Sequence, residues 1–143
     1  MAVADPAPKP ATPATEAANR AAGALAHLAD TADHERAIRG RVAPAPRQVA
    51  SGAGWDVWDL DAYGFLDEAT APAEVHPSLW RQARLNREAG LFEVAPGFHQ
   101  VRGLDLANLT VIDGDEGRIV IDPLTSAQTA AAAMALVEEH LGP

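Results

Sequence analysis

The stretch "FHQVRGLDLANLTVIDGDEGRIVIDPLTS", residues 98–126, decides how this chain folds. Apolar side chains alternate at Leu109 and Val111, and again at Ile119 and Ile121, with Gly114 and Gly117 between the two runs. A period of two broken by turn residues is the pattern of two antiparallel strands joined as a hairpin. Gly114 and Gly117 are expected to supply the unusual turn angles. "RIVID", 118–122, is nearly all apolar in its middle, as expected of a strand covered on both faces. "DGDEG", 113–117, has the carboxylates of half a calcium loop without the remaining ligand spacing, so it reads as a tight turn.

Working outward, "LFEV" (91–94) and "FHQVR" (98–102) flank Pro96-Gly97 and read as a further hairpin. On the other side, Thr125 and Gln128 have the spacing of a capping box ahead of the helix-favouring run "AQTAAAAMALVEEHL". Gly142 suits its C-terminal end and Pro143 stops it.

Upstream lies "HPSLWRQARLNREAG", 76–90. Pro77 fits a first helical turn, where its missing N–H costs nothing, and His76 or Ser78 would cap it. Leu79, Trp80, Ala83 and Asn86 fall on one side of that helix, and Gly90 can end it. "WDVWDLDAYGFL", 55–66, alternates briefly and reads as an anchoring segment laid over a core. Earlier still, an alanine-rich helix from Thr15 to Ala29 is expected, capped by Thr12 or Thr15 and weakened by Gly23. Its stripe of Ala18, Ala21, Ala22, Leu25 and Leu28 is thin and needs a partner surface. Thr31 would cap a second helix, Ala32 to Arg39, ending at Gly40; Pro44 and Pro46 then force an extended connection. The fold class is α+β. Residues 1–13 form a Pro/Ala tail expected to be disordered, 14–90 a helical and extended wrap, and 91–143 the hairpins and final helix.

Composition narrows the function. Of 143 residues 48% are hydrophobic, but many are alanine and only 5% are aromatic, so the core belongs after residue 54. The net charge of -9 disfavours nucleic acid as a partner. There is no cysteine, which excludes disulfides, thiolate metal sites and a cysteine nucleophile. The N-terminus lacks the apolar core of a signal peptide and no run reaches the ~20 apolar residues of a membrane span, so the chain reads as soluble and cytoplasmic. His27, His34, His76, His99 and His140 show no ligand spacing such as H-x-H. His99 is expected to face solvent, and His140 to favour a helix C-terminus. Asp122 ends an apolar strand ahead of a helix, where α/β proteins place sites; its plainer role is to bond the turn that follows. No phosphate loop or nucleophile elbow occurs. No residue is assigned a catalytic, cofactor-binding or metal-binding role.

"WDVWDLDAYGFL", "HPSLWRQARLNREAGLFEV", the 98–126 stretch and the helix after it together resemble the N-terminal part of the alkyl sulfatases of the metallo-β-lactamase superfamily. The resemblance covers roughly residues 30 to 142. It implies the first strands and helix of an αββα sandwich inside an outer wrap, with Arg102 to Thr110 bordering a substrate mouth. The family's two zinc ions, held by a T-H-x-H-x-D-H segment further along, would polarise an alkyl sulfate ester and activate water, releasing alcohol and sulfate. That segment is absent here, as are the family's later ligands, its dimerisation region and its C-terminal lipid-carrier-like domain, and His76 departs from the asparagine of the family pattern. The chain is therefore expected to be an N-terminal fragment, inactive alone, of a homodimeric alkyl sulfatase. The other reading is a non-catalytic binding or assembly module built on the same fold.

Overall fold

The computed structural model describes residues 9–25 and 28–143. Five antiparallel strands form the main sheet in the order β1-β4-β5-β6-β7: β1 Arg41–Pro44, β4 Gly90–Ala95, β5 Phe98–Arg102, β6 Leu109–Asp113 and β7 Arg118–Ile121. A two-stranded ribbon, β2 Gln48–Ala50 with β3 Asp56–Asp59, lies beside it. Helices α1 Pro13–Gly23, α2 Ala32–Ile38 and α3 Pro77–Asn86, with a 3₁₀ helix over Asp61–Asp67, complete the N-terminal wrap, and α4 Ala127–Leu141 follows the sheet. The α+β class is borne out. No helix of the described residues is long and apolar enough to cross a membrane.

Register separates the two faces of the sheet. Leu91 pairs with Val101, Val101 with Leu109, and Val111 lies two residues on, so all four side chains share one face. That face is buried under Ala133, Leu136 and Val137 of α4, together with Ala43, Val49 and Leu104. The opposite face carries Phe92, Gln100, Thr110, Ile112, Ile119 and Ile121 by alternation. Ile119 and Ile121 are 59% and 51% exposed, so "RIVID" is not covered on both faces: β7 is an edge strand whose apolar side chains are only partly covered by the described residues.

Both expected hairpins form. Gly97 has φ 73, a left-handed conformation that a side chain after Pro96 would resist. The 113–118 turn is closed by Gly114 N–H donating to the Gly117 carbonyl at 2.8 Å. Neither glycine there has a positive φ; space is what Gly114 provides, since a Cβ would stand 2.9 Å from that carbonyl oxygen.

The wrap differs more from expectation. Thr12 caps α1, accepting from the Thr15 N–H, and Pro13 is its first residue, but the helix stops at Gly23 rather than reaching Ala29. It buries no side chain. Asn19 instead donates to the Ala73 carbonyl at 2.7 Å, a polar tether in place of the thin alanine stripe. His27 lies outside the described residues. In α2, Asp30 rather than Thr31 accepts from the first N–H, at 2.9 Å. Arg81 of α3 donates to the Asp30 carbonyl and to Asp33, and with Arg36 it holds the Asp33 carboxyl below its ordinary pKa. Helix α3 starts as expected at Pro77, with His76 Nδ1 accepting from Ser78 N–H, but it ends at Asn86; Gly90 opens β4, packed against the Ala43 carbonyl. Trp80 is its buried residue, with its ring 6.0 Å from Phe65, whereas Leu79 is exposed. The connection after Gly40 holds two strands, β1 and β2. Pro44 is tolerated because β1 is the other edge of the sheet.

Two substitutions distinguish covered from uncovered apolar surface. Trp80→Ala is expected to cost roughly 3–5 kcal/mol in denaturant unfolding. Ile119→Lys should change that free energy by less than about 0.5 kcal/mol, and should reduce concentration-dependent self-association in sedimentation velocity. A large loss from Ile119→Lys would mean that β7 is covered in the folded chain.

Candidate functional site

The loop ends of four strands meet at one end of the sheet. Gly90 pairs with Arg102, Val101 with Leu109, and Thr110 with Ile121, so the loop 103–108 and the loop 122–126 both leave from that end. Asp105 joins them. Its carboxylate is buried and accepts from Thr125 N–H at 2.9 Å, Thr125 Oγ1–H at 2.7 Å, Thr129 Oγ1–H at 2.7 Å and Leu106 N–H at 2.6 Å. Burial pushes its pKa up, but these donors together outweigh burial and hold the carboxyl below the usual range.

This arrangement corrects the capping box. Ser126 is the N-cap of α4, accepting from Thr129 N–H at 3.0 Å, and Thr125 is spent on Asp105. The far end of α4 behaves as expected, closing at Gly142 with φ 83. There Arg118 donates to the Leu141 and Gly142 carbonyls, placing a cation at the helix C-terminus.

Asp122 is exposed and does not bond the following turn; Asp105 does that instead. Asp122 has φ 55 and Leu124 φ 71, two side-chain-bearing residues in the left-handed region on either side of Pro123. Backbone strain of this kind persists where the surroundings over-determine it.

The loop 103–108 is also held from the wrap. Trp58 Nε1–H donates to the Gly103 carbonyl at 2.7 Å and, with buried Leu60 and Leu66, anchors the 55–66 segment, whereas its Trp55, Tyr63 and Phe65 are exposed. Gly103 has φ 75, and a Cβ there would stand 2.6 Å from Ala89 Cβ. Next to it, the Arg102 guanidinium lies 4.5 Å from the Phe92 ring centroid, and its Nε–H donates to Gln100 Oε1 at 3.1 Å. Burial lowers the pKa of Arg102. A cleft of about 510 Å³ opens between this loop and the wrap, lined by Trp58, Tyr63, Asn86, Arg102 and Asn108 among others.

Among the described residues the histidines do not converge on a shared site. His99 is buried rather than solvent-facing, with Nδ1 3.7 Å from Asp113 Oδ2 and no hydrogen bond. His76 caps α3 and His140 lies in the last turn of α4. Among the described residues no three His, Asp or Glu side chains come together to hold a metal ion, so these residues do not fit a zinc pair. The role of Asp105 was missed in the sequence, because partners 20 and 24 residues away leave no periodic signal; that of Arg102 depends on the pairing of β4 with β5, which brings Phe92 beside it.

Asp105→Ala is expected to cost roughly 2–4 kcal/mol, since it strands the Thr125 and Thr129 donors. The pH dependence has a defined sign. With the folded pKa depressed, the contribution is present above the unfolded carboxyl pKa and is lost as pH falls through the lower folded value. Acid unfolding followed by circular dichroism should therefore show a shallower acid limb in Asp105→Asn than in the parent chain.

No protein-family model matches the chain. Over 92% of its length it is 48% identical to an (R)-specific secondary-alkylsulfatase of Pseudomonas sp. and 43% identical to a linear primary-alkylsulfatase of Pseudomonas sp.. It is 38% identical over the same share to the alkyl/aryl-sulfatase BDS1 of Saccharomyces cerevisiae. The chain spans only 20–21% of those proteins. Among solved structures, the stereoselective inverting sec-alkylsulfatase Pisa1 from Pseudomonas sp. superposes with a TM-score of 0.86 at 49% identity, over 92% of this chain and 21% of that one. The resemblance to alkylsulfatases carried by the 55–66, 76–94 and 98–126 stretches is thereby shown: along nearly its whole length this chain is homologous to a partial, N-terminal region of the alkylsulfatases and shares that region's fold.

Proposed function

We propose that this chain is the N-terminal part of an enzyme that hydrolyses alkyl sulfate esters of the dodecyl sulfate type to alcohol and inorganic sulfate. The observation that carries this reading is the match at a TM-score of 0.86 over 92% of the chain, with relatives of both secondary and primary alkylsulfatase type. Under this reading the sheet and α4 supply the first strands and helix of a metallo-β-lactamase αββα sandwich, with the wrap outside them. The Asp105 clamp fixes the loops at the end of the sheet where the substrate mouth would lie. Two zinc ions, a homodimer and a cytoplasmic location go with the same reading for the whole protein. The residues described here offer no metal cradle, so no step of hydrolysis is derived through them. What they do is position: Asp105 holds the 103–108 loop against α4, and Trp58 holds it against the wrap.

The chain alone is expected to release no sulfate from dodecyl sulfate. Co-expressed with the remaining portion of the Pseudomonas secondary-alkylsulfatase, it should restore sulfate release, measured by ion chromatography, and Trp80→Ala should abolish the restoration. Sulfate release by the purified chain without a partner would refute the fragment reading.

A further inference from the structure

We infer that the cleft between the 103–108 loop and the wrap binds a single-chain alkyl sulfate, with the Arg102 guanidinium holding the sulfate and the wrap side chains holding the alkyl chain. The inference rests on the alkyl sulfate reading for its ligand class and on the cleft for its place.

Charge accounting singles out Arg102. Of the cations at this cleft, Arg87 pairs with Asp67 at 2.8 Å. Of the two carboxylates lining it, Glu88 pairs with Arg41, and Asp105 stays ionised, held by its Thr125, Thr129 and Leu106 donors, which hydrogen-bond it without cancelling its charge. Arg102 has no carboxylate partner among the described residues, and only its Nε–H is used, on Gln100. Gln100 is itself fixed by donating to Thr110 Oγ1 at 3.2 Å, and the Phe92 ring supports the guanidinium plane from one side. The two terminal nitrogens are left as a rigid, part-buried fork of the kind that matches two oxygens of a tetrahedral anion. Asn86 and Asn108 also line the cleft and add neutral amide donors without adding negative charge.

The rest of the wall is apolar: Trp58, Leu60, Tyr63, Leu66, Leu85 and Leu106. Leu106 is 89% exposed and stands at the rim of this wall. The volume of about 510 Å³ falls within the ~300–1,000 Å³ of small-molecule sites. A guanidinium fork without a carboxylate partner, beside an apolar wall, suits a ligand with one anionic head and one tail. Inorganic sulfate lacks the tail, and an alcohol lacks the charge.

The test is a titration of the 143-residue chain with octyl sulfate, below its micelle concentration, followed by ¹⁵N correlation spectra. The Trp58 Nε1–H and Arg102 Nε–H resonances should shift together and saturate. Octanol and sodium sulfate, each alone, should bind at least tenfold more weakly. Arg102→Gln should lose at least tenfold in affinity for octyl sulfate while leaving octanol binding unchanged. In the complemented enzyme the same variant should raise KM for octyl sulfate with little change in kcat. Absence of a saturable shift at both resonances overturns the proposal, as does sodium sulfate binding as tightly as octyl sulfate, or Arg102→Gln binding like the parent. If Arg102→Gln does not fold, the parent's two resonances decide. Lost binding with restored hydrolysis in the complemented enzyme would sink the cleft alone, whereas binding without restored hydrolysis would sink the fragment reading alone.

Discussion

The buried carboxylate of Asp105 is the constraint on which the site end of the molecule depends. A charge removed from water is costly unless donors replace the hydration it loses. Here a backbone N–H and a hydroxyl from Thr125, a hydroxyl from Thr129 and the N–H of Leu106 do so. Thr125 precedes α4 and Thr129 lies within its first turn, so a single carboxylate fixes both where the helix begins and how it is rotated. With Thr129 held inward, Ala133, Leu136 and Val137 follow at helical spacing and meet Leu91, Val101, Leu109 and Val111 of the sheet. A polar contact at one end thus sets the register of the apolar core.

The same loop is a junction of three parts of the chain. Asp105 ties it to α4, Trp58 ties it to the ribbon β2–β3, and Gly103 sits against Ala89 just ahead of β4. The sheet itself is shared between wrap and hairpins, because β1 pairs with β4 from outside. Phe92, fully buried on the face away from α4, has Arg102 at 4.5 Å and Arg41 at 5.4 Å from its ring centroid. The Phe92 ring attracts both guanidiniums, and Glu88 neutralises Arg41 only. Arg102 is thereby left as the arginine of the two without a carboxylate partner among the described residues.

What the sequence disclosed was local. Alternation at Leu109, Val111, Ile119 and Ile121, the Pro96-Gly97 turn, the start of α3 at Pro77 and the long α4 were readable because each is specified by neighbours within a few residues. The boundaries that failed had competing local signals. Thr125 with Gln128 is the better capping box on paper, and Ser126 takes the cap because Asp105, 20 residues away, holds Thr125. Strands β1 and β2 escaped notice because three or four residues beside prolines carry little periodicity. His99 looked solvent-facing because alternation gives two faces without saying which is covered; Asp113 and the core side of β5 decide that. Burial of β7 failed for the opposite reason. An apolar run states what a strand can tolerate, while coverage depends on what else is present to lie against it.

Strain and clamp at the end of the sheet are two sides of one arrangement. Residues without glycine's freedom pay about 1–3 kcal/mol for an unfavourable backbone region, and Asp122 and Leu124 both do so within three residues. Pro123 between them cannot relax by changing its own φ. The Thr125 N–H and hydroxyl, caught by Asp105, hold the loop's far end, and the pairing of Ile121 with Thr110 holds its near end. The loop is thereby held at both ends across the two left-handed residues. Asp122 is consequently left exposed, with its carboxylate free of the turn that it would otherwise bond, and the chain fixes its direction by geometry imposed from Asp105.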